Sequence, residues 1–551
     1  MIGVIADPAE HDVVREFFEL FKTPWEFYRG NGRYEVALCS GDGPFDAGAK
    51  LVLVYAGKKT QFDDEQRIPV AHQRGNSCTL TYQADRIPIY GDTITFAEKE
   101  FRVLRDEDSD EYAAYAKQAG DRVLVRIGYD LFSEIRTLLT VGQSPANAGI
   151  PTLELHIALL RDLITGCGVP VIEIPPVPEG YRFIACLTHD VDHPSMRVHR
   201  WDHAMFGFLY RALFRSLYDF IHGHMSVRNV LANWAAACKL PFVHMGLAKD
   251  FWREFDDRYL ELEKGLRSTF FVIPFKNYAG RGPSGQAPML RASRYGARDI
   301  TDTIRKLIAA DCEVGLHGID AWLDETEGSK EMEEIRRLTG APEIGVRMHW
   351  LYYNEQSPAF LENVGAAYDS TIGYNETAGY RAGTTQAYKP LVARQLLELP
   401  MHVMDTALFY PDYLGLSQQD AKVLLGTMVD NAVRFGGCLT TNWHDRSIAP
   451  ERLWGSCYRD LVQDLKGHGV WFATVGQAIS WFRKRRSATF EMESTVSGAV
   501  RAKVAPEHGN NLPGLRLRTN TAQESGSIGT HRSEDYVDES LPTHVPSEAR
   551  R

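Results

Sequence analysis

Five short apolar runs in this chain each end in residues that can bind a metal or move a proton. Phe183–Leu187 leads into Thr188-His189-Asp190-Val191-Asp192-His193, and Val314–Leu316 into His317-Gly318-Ile319-Asp320. Ile344–Val346 leads into Arg347-Met348-His349, Leu396–Leu399 towards His402 and Asp405, and Cys438–Thr440 into Asn442-Trp443-His444-Asp445. A single His or Asp at a strand end is ordinarily a loop cap or a satisfied structural group. Five in phase make chance a poor account. Asp190 and Asp192 stand at i and i+2, so on a strand their side chains point the same way and could share a site. Two carboxylates that close need a cation beside them, which a divalent metal or Arg347 would supply. With several histidines nearby, the donor set suits a transition metal such as zinc.

These residues need a scaffold that brings strand ends together. From Tyr181 onward, strand-length apolar runs (the five above and Thr269–Ile273) alternate with amphipathic helical stretches at Tyr259–Gly265, Ile300–Ala310, Glu331–Leu338, Ala421–Phe435 and Leu453–Lys466. Nearly continuous apolar strands between helices mean a parallel sheet covered by helices. In a (β/α) barrel the carboxyl ends of such strands converge on one face, where active sites form. Residues 1–175 have a different rhythm, with short β-like runs and helix-like segments such as Glu10–Phe21 and Leu153–Ile164. They read as a smaller mixed α/β domain without a catalytic constellation. The proline-rich joint Ile174–Gly180 separates it from the barrel, expected at 181–485 with an insertion at about 194–255 that could cover the site. Residues 486–551, rich in Ser, Glu, Thr, Asn, Gly and Pro, are expected to be a disordered tail.

Composition narrows the function classes. A chain of 551 residues is long enough for two folded units. Its net charge of -11 argues against a nucleic-acid footprint. Eight scattered cysteines without a C-x-x-C pair read as buried free thiols, and the N-terminal Met-Ile-Gly-Val-Ile-Ala-Asp reads as a first strand, not a signal peptide. A cytoplasmic protein is the expectation. Met205–Gly223 is apolar but interrupted by Arg211, Arg215 and Asp219, so it reads as a half-buried helix or as an interfacial one giving peripheral membrane contact.

Taken in order, the motifs resemble those of polysaccharide deacetylases of the NodB-homology type, carbohydrate esterase family four, across about Tyr181 to Arg485. The resemblance is carried by Thr188-His189-Asp190-Val191-Asp192, His317-Gly318-Ile319-Asp320, Arg347-Met348-His349-Trp350, Leu399-Pro400-Met401 through Asp405, and Asn442-Trp443-His444. Tyr368–Gly373 followed by Gly379–Thr384 is similar to a divergent branch with an N-terminal α/β domain. The resemblance implies a distorted (β/α) barrel that hydrolyses N-acetyl groups on amino sugars of a surface or exopolysaccharide, or of its lipid-linked precursor. It implies Asp190 as general base, Arg347 as its orienting group, and His444 as the acid that protonates the departing amine, held by Asp405. Asp192 and His317 would ligate a divalent metal, by expectation Zn2+.

The sequence departs from that pattern at two points. Val191 separates the aspartates, and Ala321 stands where the second motif usually supplies another metal histidine. His349 is the favoured replacement ligand, with Asp320 or an open position as the alternatives and His193 more remote. Two other readings stay open: a catalytically silent glycan-binding or scaffolding member of an assembly complex, and a hydrolase of non-sugar amides. The aromatics Trp322, Trp350, Tyr352, Tyr353 and Trp443 could stack on pyranose faces or simply pack.

Overall fold

Ile184–Val191 is buried at every residue, so both faces of this strand lie inside the protein. A strand like that belongs at the centre of a parallel sheet. In the computed structural model it is central: the order is Val346–Met348, Glu313–Gly318, Ser268–Val272, Ile184–Val191, Cys438–Asn442 and Val403–Met404, and every pairing is parallel. Trp471–Phe472 pairs with the start of the central strand. The structure describes residues 1–41, 48–75, 77–97, 101–109, 111–223, 225–449, 451–492, 500–504, 511–522 and 536–541.

The two ends of the sheet are linked by single-residue bridges, Val346 to Asp369 and Asp369 to Glu398. Backbone hydrogen bonds continue the path, with Leu399 N–H donating to Asp369 (2.9 Å), Met401 to Ile372 (2.8 Å) and His402 to Thr440 (3.0 Å). The sheet therefore curls into a distorted barrel. Amphipathic helices lie between its strands, among them Thr301–Ala309, Glu325–Thr339, Gln418–Phe435 and Gly455–Gly467. Ala185, Leu187, Phe270, Val272, Leu316, Val346 and Leu439 are buried core residues on its strands.

Two details differ from the sequence-based expectation. The central strand runs on through Asp190 to Val191, so Asp190 lies on the strand and not in the loop after it. Leu396–Leu399 contributes only the bridge at Glu398, and the paired strand is the following Val403–Met404. Pro400, which has no N–H to donate, interrupts the apolar run between them.

The chain divides into two units: residues 1–180 with 380–391 and 480–551, and residues 181–379 with 392–479. The first holds a six-stranded sheet, parallel except for the Ala114–Ala119/Arg122–Ile127 pair. Beyond residue 486, where a disordered tail is expected, Leu515–Asn520 pairs antiparallel with Val171–Glu173 and with Tyr536–Leu541. Other parts of that stretch lie outside the described residues. No helix among the described residues is long and apolar enough to cross a membrane. All eight cysteines are free and seven are buried, Cys238 being exposed.

Within the insertion, His203–Leu209, Tyr210–Arg215 and Ser216–Ile221 run on as consecutive helical stretches, the middle one wound as a π-helix. Phe206, Tyr210, Phe214, Leu217 and Ile221 are exposed along them.

Candidate functional site

A cavity of about 540 Å³ opens in the barrel unit, lined by residues from the strand ends and from the insertion. Asp190, Asp192, His193, His317, His349 and His444 all face it. Strand alternation places Asp190 and Asp192 on one side, and the parallel neighbours carry His317 and His349 to the same rim.

His317 and His349 are each fixed by a backbone carbonyl. His317 Nδ1 lies 3.0 Å from the Arg347 carbonyl oxygen, and His349 Nε2 lies 3.1 Å from that of Arg291. A carbonyl only accepts, so both outer nitrogens must carry their protons there. The inner nitrogens, His317 Nε2 and His349 Nδ1, then face each other at 3.1 Å with lone pairs. Asp192 Oδ1 stands 3.4 Å from the first and 3.5 Å from the second, and this buried oxygen has no hydrogen-bond partner. Three acceptor atoms converging without a donor could hold a cation between them. Asp192, His317 and His349 form the metal-type cluster among the described residues. The donor set therefore fits a divalent ion. Burial opposes ionisation of Asp192, but the surrounding His349, His317 and His444 hold its carboxyl well below the usual carboxylate range.

Asp320 lies elsewhere. Its carboxylate accepts from the Tyr278 hydroxyl (2.7 Å) and the Arg281 N–H (2.8 Å). His193 is joined through its Nδ1 to His199 Nε2 at 3.2 Å, and His199 to Asp202 at 2.8 Å. His189 is structural, with its nitrogens on the Trp443 carbonyl and Glu263, both at 2.9 Å. His402 accepts from the Thr440 N–H (3.2 Å) and shapes the barrel.

Asp190 is held on both oxygens. Arg347 Nη1 donates to Oδ1 at 3.2 Å, and the Asn442 amide donates to Oδ2 at 2.7 Å. Burial favours the neutral acid, yet His317, Arg347 and His444 together keep the carboxyl below its ordinary range. Arg347 is fully buried and its remaining donors are used too. They reach Thr188 Oγ1 (2.6 Å), the Ser370 carbonyl (2.9 Å) and Ser370 Oγ (3.0 Å). A planar fork anchored at four points fixes the carboxylate it touches.

The other half of the site is His444. Its Nδ1 lies 2.6 Å from Asp405 Oδ1, and its backbone N–H donates to Asp405 Oδ2 at 2.8 Å. Its Nε2 points back towards the cluster, 3.7 Å from Asp192 Oδ2. Burial disfavours the imidazolium, but Asp405, Asp192 and Asp190 outweigh it and raise the His444 pKa to about 10. The site thus pairs an ionised carboxylate with a protonated imidazole, environments pushed apart as acid–base catalysis requires.

Several residues that complete this geometry carried no sequence signal. Arg291 is buried, and besides offering its carbonyl to His349 Nε2 it donates through its guanidinium to the His349 carbonyl at 2.9 Å. It steadies a turn in which Trp350 and Leu351 both adopt positive φ (62° and 53°), a costly conformation for large side chains. Asn442 and Thr188 fall inside the sequence motifs, yet their bonds to Asp190 and Arg347 appear only in the fold. Of the rim aromatics, Trp350 and Tyr352 line the cavity, whereas Trp322 and Trp443 are buried in packing.

By fold and site, this is an α/β-barrel protein with a histidine–aspartate cluster at the carboxyl ends of its strands. No family model and no curated protein matches the chain. Solved structures do. They include a Mycobacterium smegmatis protein assigned as a polysaccharide deacetylase, 18% identical, with a TM-score of 0.35 over 56% of this chain and 94% of that one. PuuE allantoinase matches at 15% identity and TM-score 0.34, over 56% and 92%. A Bacillus anthracis member of carbohydrate esterase family four, described as a pseudoenzyme, matches at 12% and 0.25, over 56% and 70%. At such identities the chemistry has to be found in this chain's own residues.

Proposed function

We propose that this protein hydrolyses the N-acetyl group of an amino sugar belonging to a surface polysaccharide or its lipid-linked precursor, with Asp192, His317 and His349 holding a divalent ion, zinc by preference. The observation that carries this is the pairing of Asp190–Arg347 with His444–Asp405 around one donor cluster in one cavity. A binding module has no need of both a base and an acid.

When bound, the ion would polarise the acyl carbonyl and make water more acidic. Asp190, ionised and fixed by Arg347 and Asn442, accepts the proton that water gives up as its oxygen attacks the carbonyl carbon. The amide nitrogen is a poor leaving group until it is protonated. His444 supplies that proton from Nε2, and Asp405 stabilises the imidazolium beforehand through Nδ1. Water and amide go in; acetate and amine come out. Trp350 and Tyr352 offer aromatic faces on which a sugar ring could stack. The eight free thiols favour a reducing compartment, and we place the reaction in the cytoplasm.

The test is acetate release from N-acetylated amino sugars, their oligomers, and simple amides and ureides. Release from the sugars that disappears in Asp190→Asn is expected. Release from the amides or ureides alone would assign a different substrate class. Binding of glycans with no release under any metal loading would overturn hydrolysis.

A further inference from the structure

The cavity wall beyond the histidine cluster is cationic. Arg211 from the insertion, and Arg446 and Arg452 after the last catalytic strand, all line it, with Tyr410 among them. Arg446 Nη2 and Arg452 Nη2 each donate to the Tyr410 hydroxyl oxygen at 3.2 Å. Arg211 Nη2 and Arg452 Nε and Nη1 are buried with no hydrogen-bond partner. Among the described residues, none of the three guanidiniums is ion-paired with a carboxylate.

Buried guanidinium N–H groups without acceptors are costly, because burial strips their water and nothing replaces it. The nearest acidic groups are otherwise engaged. Asp445 accepts from the backbone N–H groups of His193 and Arg446, both at 2.8 Å, and Glu451 Oε1 accepts from Trp252 Nε1 at 2.6 Å, while Glu451 Oε2, buried and without a partner, makes no ion pair with any of the three guanidiniums. Stacking does not satisfy the edges either. Arg452 lies 4.8 Å from the Trp454 ring centroid, an interaction that uses the guanidinium face and leaves its N–H rim free.

We propose that this wall is an oxyanion subsite, so that the substrate carries a carboxylate or phosphate whose oxygens accept from Arg211, Arg446 and Arg452. The substrate is then an acidic acylamino sugar, a uronate or a sugar phosphate, which rests on the hydrolytic function proposed above. Arginine's planar fork matches carboxylate and phosphate, and three forks converging on one pocket select for either. The local field agrees. Burial would raise the Tyr410 phenol, but Arg452, Arg446 and Arg211 outweigh it and bring its pKa down to about 7. One phenolate cannot match three guanidiniums, and Arg211 makes no hydrogen bond to it. Arg211 follows His203, Ala204 and Gly207 at helical spacing, on the face of these stretches that lines the cavity.

The experiment is calorimetric titration of the full chain with three probes: neutral N-acetylglucosamine, N-acetylglucosamine 1-phosphate and an N-acetylated aminouronate. At least one anionic probe should bind roughly tenfold or more tightly than the neutral sugar. The tighter of the two identifies phosphate or carboxylate as the natural group. Arg211→Met and Arg452→Met should abolish the preference while metal content and neutral-sugar binding persist. Arg211→Met removes no hydrogen bond, so it carries the test alone should Arg452→Met fail to fold. Equal binding of all three probes, or a preference that survives Arg211→Met, overturns the subsite. Binding is read without turnover. Equal binding with acetate release intact therefore removes only this inference, and anion preference without acetate release removes only the hydrolytic one.

Discussion

Replacing Arg347 by Met should be among the most damaging single changes in the barrel, for a reason that can be separated from packing. The guanidinium is fully buried and donates to Thr188, Asp190 and Ser370, and its centre lies 4.5 Å from the Phe271 ring centroid. Met fills much of the volume but leaves the Asp190 carboxylate buried beside Asp192 with only the Asn442 amide as donor. Removing one partner of a buried pair costs about 3–5 kcal/mol, mostly the stranded charge. The double variant Arg347→Met/Asp190→Asn removes that charge as well and should recover more than half of the loss. Urea denaturation of metal-depleted protein, followed by tryptophan fluorescence, reads both values as shifts in midpoint at constant slope. An Arg347→Met loss below about 1 kcal/mol, or a double variant no more stable than the single one, would refute the electrostatic role given to this arginine.

Asp405→Asn should lower kcat by roughly 10²–10⁴-fold with little change in KM, because the amide can orient His444 but cannot stabilise its charged form; an unchanged kcat on an acetylated amino sugar would remove His444 as the acid. Asp369 and Glu398, the bridge residues that close the barrel, are buried, and burial raises both carboxyls, Asp369 to about 6. A carboxyl whose folded pKa exceeds its unfolded one contributes stability below the unfolded value and loses it as pH rises through the folded one. Glu398→Gln should therefore gain on the parent in denaturation midpoint between pH 5 and pH 8, and a gap independent of pH would count against the carboxyl pair. Phe206, Phe214 and Ile221 are 52%, 67% and 70% exposed. If they seat the protein on membranes, Phe206→Ser/Phe214→Ser/Ile221→Ser should cut flotation with anionic vesicles at least severalfold, and equal flotation would end that idea.

The central strand was legible because burial on both faces turns it into an unbroken apolar run, and the residues following such runs could be read as a rim. Where pairing narrows to single residues, as at Asp369 and Glu398, an apolar run overstates it: Leu396–Leu399 reads as a strand, whereas the paired strand is the following Val403–Met404. His349 could be put on the rim from its position after Ile344–Val346. Its orientation could not, because Arg291 reaches it from 58 residues away through backbone carbonyls that leave no pattern. The Leu515–Asn520 strand reads L-R-L-R-T-N, an alternation of period two that the polar composition around it obscured. The arginine wall was hidden for another reason. Arg211 sits in an insertion whose apolar neighbours invite a membrane reading, and only the fold brings it to Arg446 and Arg452.

Metal content of the purified chain, compared with Asp192→Asn, His317→Ala, His349→Ala and Asp320→Asn, bears most directly on the proposed hydrolytic site. Near-stoichiometric zinc or a similar divalent ion is expected in the parent and in Asp320→Asn, with its loss in the other three. No metal under any loading condition, or retention in His349→Ala with loss in Asp320→Asn, would contradict the cluster on which the proposed chemistry depends.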